Sequence, residues 1–120
     1  MIDYKLGEVE MQFATIIWDN EPLTSRALVG LAEQHLNWNK STTYTILRRI
    51  CERGIFQNEH SVVTSCITKE EFLAGQSEKF VEETFSGSLP QFLAAFTQKK
   101  KLSDKEIADI QALIDAQKEG

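Results

Sequence analysis

The feature that most constrains this chain is a change of apolar period at Gly54. Upstream, apolar residues recur at steps of three and four, the repeat of a helix that buries one stripe. Downstream, Ile55-Phe56-Gln57-Asn58 and Val62-Val63-Thr64-Ser65-Cys66-Ile67 flank the polar tip Glu59-His60-Ser61, two short β-prone runs about a tight turn. A chain that changes period in this way builds helices first and a hairpin after them.

The upstream part resolves into three helices. Leu6, Val9, Phe13, Ile16 and Ile17 form the stripe of a first helix from Leu6 to Trp18. Asp19-Asn20-Glu21-Pro22 ends it, because proline has no amide donor and restricts the residue before it. Thr24 is placed to cap a second helix that reaches His35, with Ala27, Leu28, Leu31 and Ala32 on one face. Either Asn39 or Ser41 can cap a third, which runs to Arg53 with Gly54 just past its end. Its inward stripe is Thr43, Ile46, Leu47 and Ile50.

Three helices followed by a hairpin is the winged helix-turn-helix order, so the expected fold is mainly α with a small β wing, residues 1–68 forming this domain. Beyond it, Thr68 and Glu71 make a capping-box pair that opens a fourth helix carrying Phe72, Leu73, Phe80 and Val81. Ser86-Gly87-Ser88 interrupts; a fifth helix starts at Leu89 with Pro90 in its first turn, and Ser103 with Glu106 caps a sixth. Residues 69–120 are thus a three-helix region whose apolar residues, Phe85, Leu89, Phe92, Leu93, Phe96, Ile107, Ile110, Leu113 and Ile114, cannot all be hidden by so short a segment. A second copy of the chain is the expected cover, making this the dimerisation region of a two-fold homodimer.

No stretch approaches the roughly 18 apolar residues of a membrane span, and the start Met1-Ile2-Asp3-Tyr4-Lys5 lacks a basic region followed by an apolar run, so the chain reads as cytoplasmic with no membrane partner. Cys51 and Cys66 are too few for a disulfide framework and lack partners at zinc spacing. With no glycine-rich phosphate loop, no histidine pair at metal spacing and no nucleophile near a histidine, no enzyme, metal or cofactor is expected.

Thirteen Lys and Arg against eighteen Asp and Glu leave a net charge of −5, and neither side of Thr68 is basic. Net charge therefore weighs mildly against a nucleic-acid partner, and the clustering of cations has to decide. The outward side of the third helix holds Ser41, Thr42, Tyr44, Thr45, Arg48 and Arg49, all donors, with no acid before Glu52. The second helix of a helix-turn-helix pair lies in the major groove. Thr42 and Thr45 offer hydroxyls and methyls to base edges, and Tyr44 adds an aromatic donor, partial packing being its alternative. Arg48 and Arg49 reach phosphate or guanine, a structural ion pair being the alternative for Arg49, and Lys40 stands at the helix entry. The wing carries Glu59 and His60 where a phosphate-gripping hairpin holds cations, so its contribution is expected to be small. The alternative that the acidic balance keeps open is a winged-helix protein-interaction module that does not bind DNA directly.

Ile16-Ile17-Trp18-Asp19, then Pro22-Leu23-Thr24, then Trp38-Asn39-Lys40-Ser41-Thr42-Thr43-Tyr44-Thr45-Ile46-Leu47-Arg48-Arg49-Ile50 running into Gly54, resemble the BlaI/MecI/CopY family of penicillinase-type repressors. The likeness is most specific over residues 6 to 55; Phe85-Ser86-Gly87-Ser88-Leu89 and the spacing of the last two helices also agree. It implies a dimeric bacterial repressor that binds inverted-repeat, double-stranded operator DNA and dimerises through its C-terminal helices. Three features depart from the family pattern. The wing is shorter and lacks the usual basic and aromatic residues. In the penicillinase branch, induction follows cleavage of the fifth helix between an asparagine and a phenylalanine; the matching pair here is Ala95-Phe96, which keeps only the phenylalanine and makes an inducing protease a candidate partner. The chain ends Asp115-Ala116-Gln117-Lys118-Glu119-Gly120, without the Cys-x-Cys motifs of the copper-responsive branch, which excludes copper sensing by that route.

Overall fold

A computed structural model describes residues 2–120. Helix α1, Glu8–Asn20, opens with Glu8 and Glu10 in its first turn, where carboxylates suit the helix dipole, and the Glu10 Oε1 accepts the Gly7 N–H at 3.0 Å. It buries Phe13, Ala14 and Ile17. Val9, expected in the buried stripe, is 49% exposed. Helix α2, Ser25–Leu36, is capped by Thr24, whose Oγ1 accepts from the Ala27 N–H at 3.0 Å, and it ends where Asn37 turns left-handed at φ 56°. Asparagine tolerates that conformation, and its amide satisfies the carbonyls of the last turn. Helix α3 follows as Lys40–Glu52.

Strand β1 is only Leu23–Thr24, too short to show a period in the sequence, and it completes a three-stranded antiparallel sheet ordered β1-β3-β2 with β2 at Phe56–Glu59 and β3 at Val62–Ser65. Leu23 faces Val63 and Thr24 faces Val62, while Glu59 faces Val62 across the hairpin. The hairpin turns on two residues, His60 (φ 51°) and Ser61 (φ 65°). Positive φ at both is the turn geometry that matches the right-handed twist of the flanking strands.

The core joins α1, α2, α3 and the sheet through Phe13, Ile17, Leu28, Leu47, Ile50, Ile55, Phe56 and Val63, each worth about 1.5–3 kcal/mol when fully buried. Helix α4, Lys69–Phe85, adds Phe72, which lies in that core against Trp18 at 5.6 Å between ring centroids. The Trp18 indole also meets Phe56 at 5.0 Å and donates to the Ile67 carbonyl at 3.0 Å.

The chain forms two compact units that divide within α4, the first ending at Lys79 and the second spanning Phe80–Gly120. The second holds the end of α4, α5 at Leu89–Lys99 and α6 at Asp104–Glu119. Ser88 caps α5 with Pro90 in its first turn, and Ser103 and Glu106 form a reciprocal capping box on α6. Phe80, Phe85 and Phe92 meet edge to face at 5.7–6.1 Å, yet no residue of this unit is buried.

Candidate nucleic-acid interface

The sequence at the start of α3 fixes which side of the helix looks outward. Asn39, not Ser41, is the cap: its Oδ1 accepts from the Thr42 N–H at 2.8 Å, and the Thr43 Oγ1 donates to the Asn39 carbonyl at 3.0 Å. Thr43, Leu47 and Ile50 then bury, Ile46 is half-buried, and Lys40, Ser41, Thr45, Arg48 and Arg49 are exposed, with Thr42 half-buried beside them. From Lys40 to Arg49 this outward surface carries no carboxylate; Glu52 comes at the last turn.

The hydroxyls are already partly engaged. Thr45 Oγ1 donates to the Ser41 carbonyl at 3.0 Å, which leaves its lone pairs and methyl facing outward, suited to a base-edge amino group or a thymine methyl. Tyr44 is half-buried, its ring packs on the core, and its hydroxyl donates to the Ser25 Oγ at 3.3 Å. Ser25 is itself buried, and its N–H donates to the Ser61 carbonyl at 2.9 Å. One serine at the start of α2 therefore ties the wing turn to α3.

The arginines divide by role. Among the described residues neither Arg48 nor Arg49 has an ion-pair partner, and neither does Lys40. The paired guanidinium belongs to Arg53: its Nη1 donates to the Lys5 carbonyl at 2.5 Å and to both Glu10 carboxylate oxygens at 3.3 Å, and its Nε lies 4.0 Å from Asp3. Nothing in the sequence marks Arg53 for this, since its partners lie more than forty positions away. Arg26, exposed in the first turn of α2, adds one more cation to the first unit's surface. The wing adds none: Glu59, His60 and Ser61 are exposed and no Lys or Arg lies in β2, the turn or β3.

The remaining predicted residues lie in the second unit. Leu89, Phe96, Ile107, Leu113 and Ile114 are exposed, and Phe85, Phe92, Leu93 and Ile110 are half-buried. Ala95 and Phe96 are both exposed on α5, within regular helix. Cys51 is half-buried on α3, and burial first, then Cys66 and Glu52, pushes its thiol pKa up. Among the described residues no group of His, Cys, Asp and Glu could hold a metal ion, and no helix is long and apolar enough to cross a membrane. A groove of about 730 Å³ lined by α1, α2 and Gln76 includes no residue of α3.

The penicillinase repressor family model matches residues 6–116. The methicillin resistance regulatory protein MecI of Staphylococcus aureus is 19% identical over 115 residues, covering 92% of this chain and 94% of that protein. An uncharacterized 16.5 kDa protein in the ptsI 3′ region of Latilactobacillus sakei is 24% identical over 111 residues, covering 89% of this chain and 76% of that protein.

Proposed function

This chain belongs to the penicillinase repressor family, whose members are transcriptional repressors and not enzymes, and from that premise we propose that it is a cytoplasmic homodimeric repressor of inverted-repeat operator DNA. Residues 1–68 act as the DNA-binding domain and residues 69–120 as the dimerisation region. Thr42 and Thr45 read bases from the major groove, Ser41 and Lys40 meet the backbone at the helix entry, and Arg48 and Arg49 hold phosphate. Tyr44 contributes its ring edge and keeps its hydroxyl on Ser25.

One observation carries this reading: in a chain rich in carboxylates, the outward face of α3 has none before Glu52, and its three cations have no partner among the described residues. Phosphate is the ligand such cations lack. Three cations from each of two protomers give six phosphate contacts and a slope of log Kobs against log salt of about −5. The dimer buries the exposed apolar residues of α5 and α6, which no residue of the second unit buries in the single chain. Replacing Phe92 and Phe96 together by Asp gives a monomer by light scattering; a dimer in that variant refutes this interface.

The direct test uses a duplex selected by the parent protein from a random pool. Thr45→Ala should weaken that duplex by roughly 1–3 kcal/mol and leave unselected DNA nearly unaffected. Arg48→Ala should weaken both alike and make the salt slope shallower by about one per half-site. A folded Thr45→Ala dimer that binds the selected duplex as tightly as the parent shows that α3 is not the reader. The acidic wing and the net charge of −5 favour a second reading, a protein-interaction module, which predicts no DNA binding even at low salt. An inducing protease acting at Ala95-Phe96 would need α5 to open first, since proteases bind extended backbone and both residues are helical.

A further inference from the structure

One flank of α3 borders the wing. Tyr44, Leu47, Arg48 and Cys51 recur there at steps of three and four, which puts them in one stripe along the helix. Facing this stripe is β2, an edge strand of the sheet. Side chains alternate along a strand, so Phe56 and Asn58 share one face of β2, and directly opposite residues share a face too, which adds Val63. Phe56 and Val63 are buried, so Asn58 belongs to the core-facing side, at the point where the apolar surface stops. Gln57 and Glu59 take the other face, where the Gln57 Nε2 donates to the Thr64 Oγ1 at 3.1 Å.

Tyr44, Leu47, Arg48, Cys51 and Asn58 together line a cleft of about 250 Å³. Sites for drug-sized molecules run to roughly 300–1,000 Å³, so this one suits a smaller group. Glu52 and Glu59, the carboxylates of α3 and β2, do not line it. Among the described residues neither the Arg48 guanidinium nor the Asn58 amide has a hydrogen-bond or ion-pair partner. Burial holds the Cys51 thiol above its ordinary pKa, so it brings no negative charge at neutral pH, and the Tyr44 hydroxyl is engaged by Ser25, which leaves its ring as a wall. The cleft therefore combines one full positive charge, an unused amide and apolar walls, the complement of an anion joined to an apolar body. A backbone phosphodiester with its sugar has that chemistry.

We propose that this cleft seats one phosphodiester of the DNA backbone, with Arg48 from α3 and Asn58 from β2 donating to its oxygens and with Tyr44, Leu47 and Cys51 against the adjoining sugar. The proposal rests on the reading of the chain as a DNA-binding repressor and deepens it, because it gives the wing a contact that its acidic tip does not supply. Asn58 needs no cation for this: an amide N–H bonded to a charged phosphate oxygen is a charge-assisted hydrogen bond.

The test uses the full-length protein with the duplex it selects and an unselected duplex of equal length. Asn58→Ala should weaken both by about tenfold and leave the salt slope unchanged, because a neutral amide releases no counterion. Asn58→Asp should weaken both by about a hundredfold at low salt, a deficit that shrinks as salt screens the new carboxylate from the phosphate. Asn58→Lys should tighten both and steepen the slope by about one per half-site. Gln57→Ala, on the opposite face, should stay within about twofold of the parent. An independent readout is alkylation by N-ethylmaleimide with and without the selected duplex: bound DNA should slow Cys51 by about tenfold and Cys66 by less than about twofold. The footprint and Asn58→Ala decide if Asn58→Asp fails to fold. Folded Asn58→Ala or Asn58→Asp protein that binds as tightly as the parent, or a Cys51 equally reactive in the complex or slowed no more than Cys66, shows the cleft empty and overturns this proposal alone, provided that Arg48→Ala still weakens binding. A parent that binds neither duplex at low salt overturns the repressor reading and this proposal with it.

Discussion

Arg53, at the cap of α3, and the exposed Arg48 and Arg49 on that helix carry the same charge and should fail in opposite ways. Replacing Arg53 by Met keeps the aliphatic stem and removes the guanidinium that bonds Lys5 and Glu10. The Arg53 and Glu10 side chains are 27% and 23% exposed, shielded enough for the pair to count but short of full burial. Charge-assisted hydrogen bonds contribute about 1.5–3 kcal/mol, while orphaning a fully buried partner costs about 3–5 kcal/mol. Glu10 is not orphaned here, since it still accepts the Gly7 N–H at 3.0 Å. The expected loss is therefore about 2 kcal/mol, a large share of a total near 5–15 kcal/mol, with Tm lower by about 8 °C. Urea unfolding at one fixed protomer concentration measures it, because a dimer's apparent stability depends on concentration. The cycle of Arg53→Met with Glu10→Gln should show coupling of about 1 kcal/mol. The DNA salt slope of the folded Arg53→Met protein should equal the parent's, unlike that of Arg48→Ala. A loss under about 0.5 kcal/mol, or a slope shallower by about one per half-site, would refute the division of the arginines into structural and phosphate-binding.

Asn39→Ala removes the side-chain acceptor of the Thr42 N–H and should cost about 1 kcal/mol, read as a lower urea midpoint with unchanged m. Alkylation followed by mass spectrometry should modify the exposed Cys66 well before Cys51, whose raised thiol pKa and burial both reduce the available thiolate; equal rates would contradict the burial seen. Glu106 has its carboxyl pKa lowered from the ordinary 4.5, first by the Ser103 backbone N–H and then by the Ser103 hydroxyl. A depressed carboxylate pKa stabilises above the unfolded value and ceases to as pH falls through the folded one. The Tm gap between the parent and Glu106→Ala should hold constant from neutral pH down to about 4.5 and close below it.

What the sequence revealed of this fold is what local chemistry controls. The Thr24 cap, the end of α3 before Gly54, the hairpin and the capping box at Ser103 each rest on residues within a few positions of one another. The choice between Asn39 and Ser41 as cap is equally local but was not legible, because both can accept the bond and only the helix start decides between them. Strand β1 was illegible for want of length: two residues show no alternation, and their pairing with Val62 and Val63 is nearly forty positions away. The hold of the N-terminal segment on α4 was illegible for the same reason, since the Tyr4 carbonyl meets the Gln76 side chain across 72 positions and gives no periodic signal. In the candidate interface, composition identified the acid-free face of α3. It could not tell that the Tyr44 hydroxyl turns inward to Ser25, because a tyrosine on the border of a buried stripe has an apolar ring for one side and a polar tip for either.

The net charge of −5 and the proposed DNA contact are reconciled by distance. At physiological salt a charge is screened over about 8 Å, about one and a half helical turns, so a phosphate at Arg48 responds to its neighbours Arg49 and Glu52 on α3 and hardly to carboxylates at the far side of the domain. The acids of the first unit lie in the N-terminal segment, on α1 and α2, at Glu21, at the end of β2 and on α4, with Glu52 alone on α3, and two of them are taken up by Arg53. At about 0.01 M salt the screening length grows to about 30 Å, and the whole protein's negative field then opposes the same contact. Binding should therefore strengthen with dilution less steeply at the low end than counterion release alone requires. The wing belongs to the same logic. Held by its Ser61 carbonyl to α2 and ending in Glu59, it has neither the freedom nor the charge to follow the phosphate backbone, which leaves α3 as the surface on which local charge can outweigh the total.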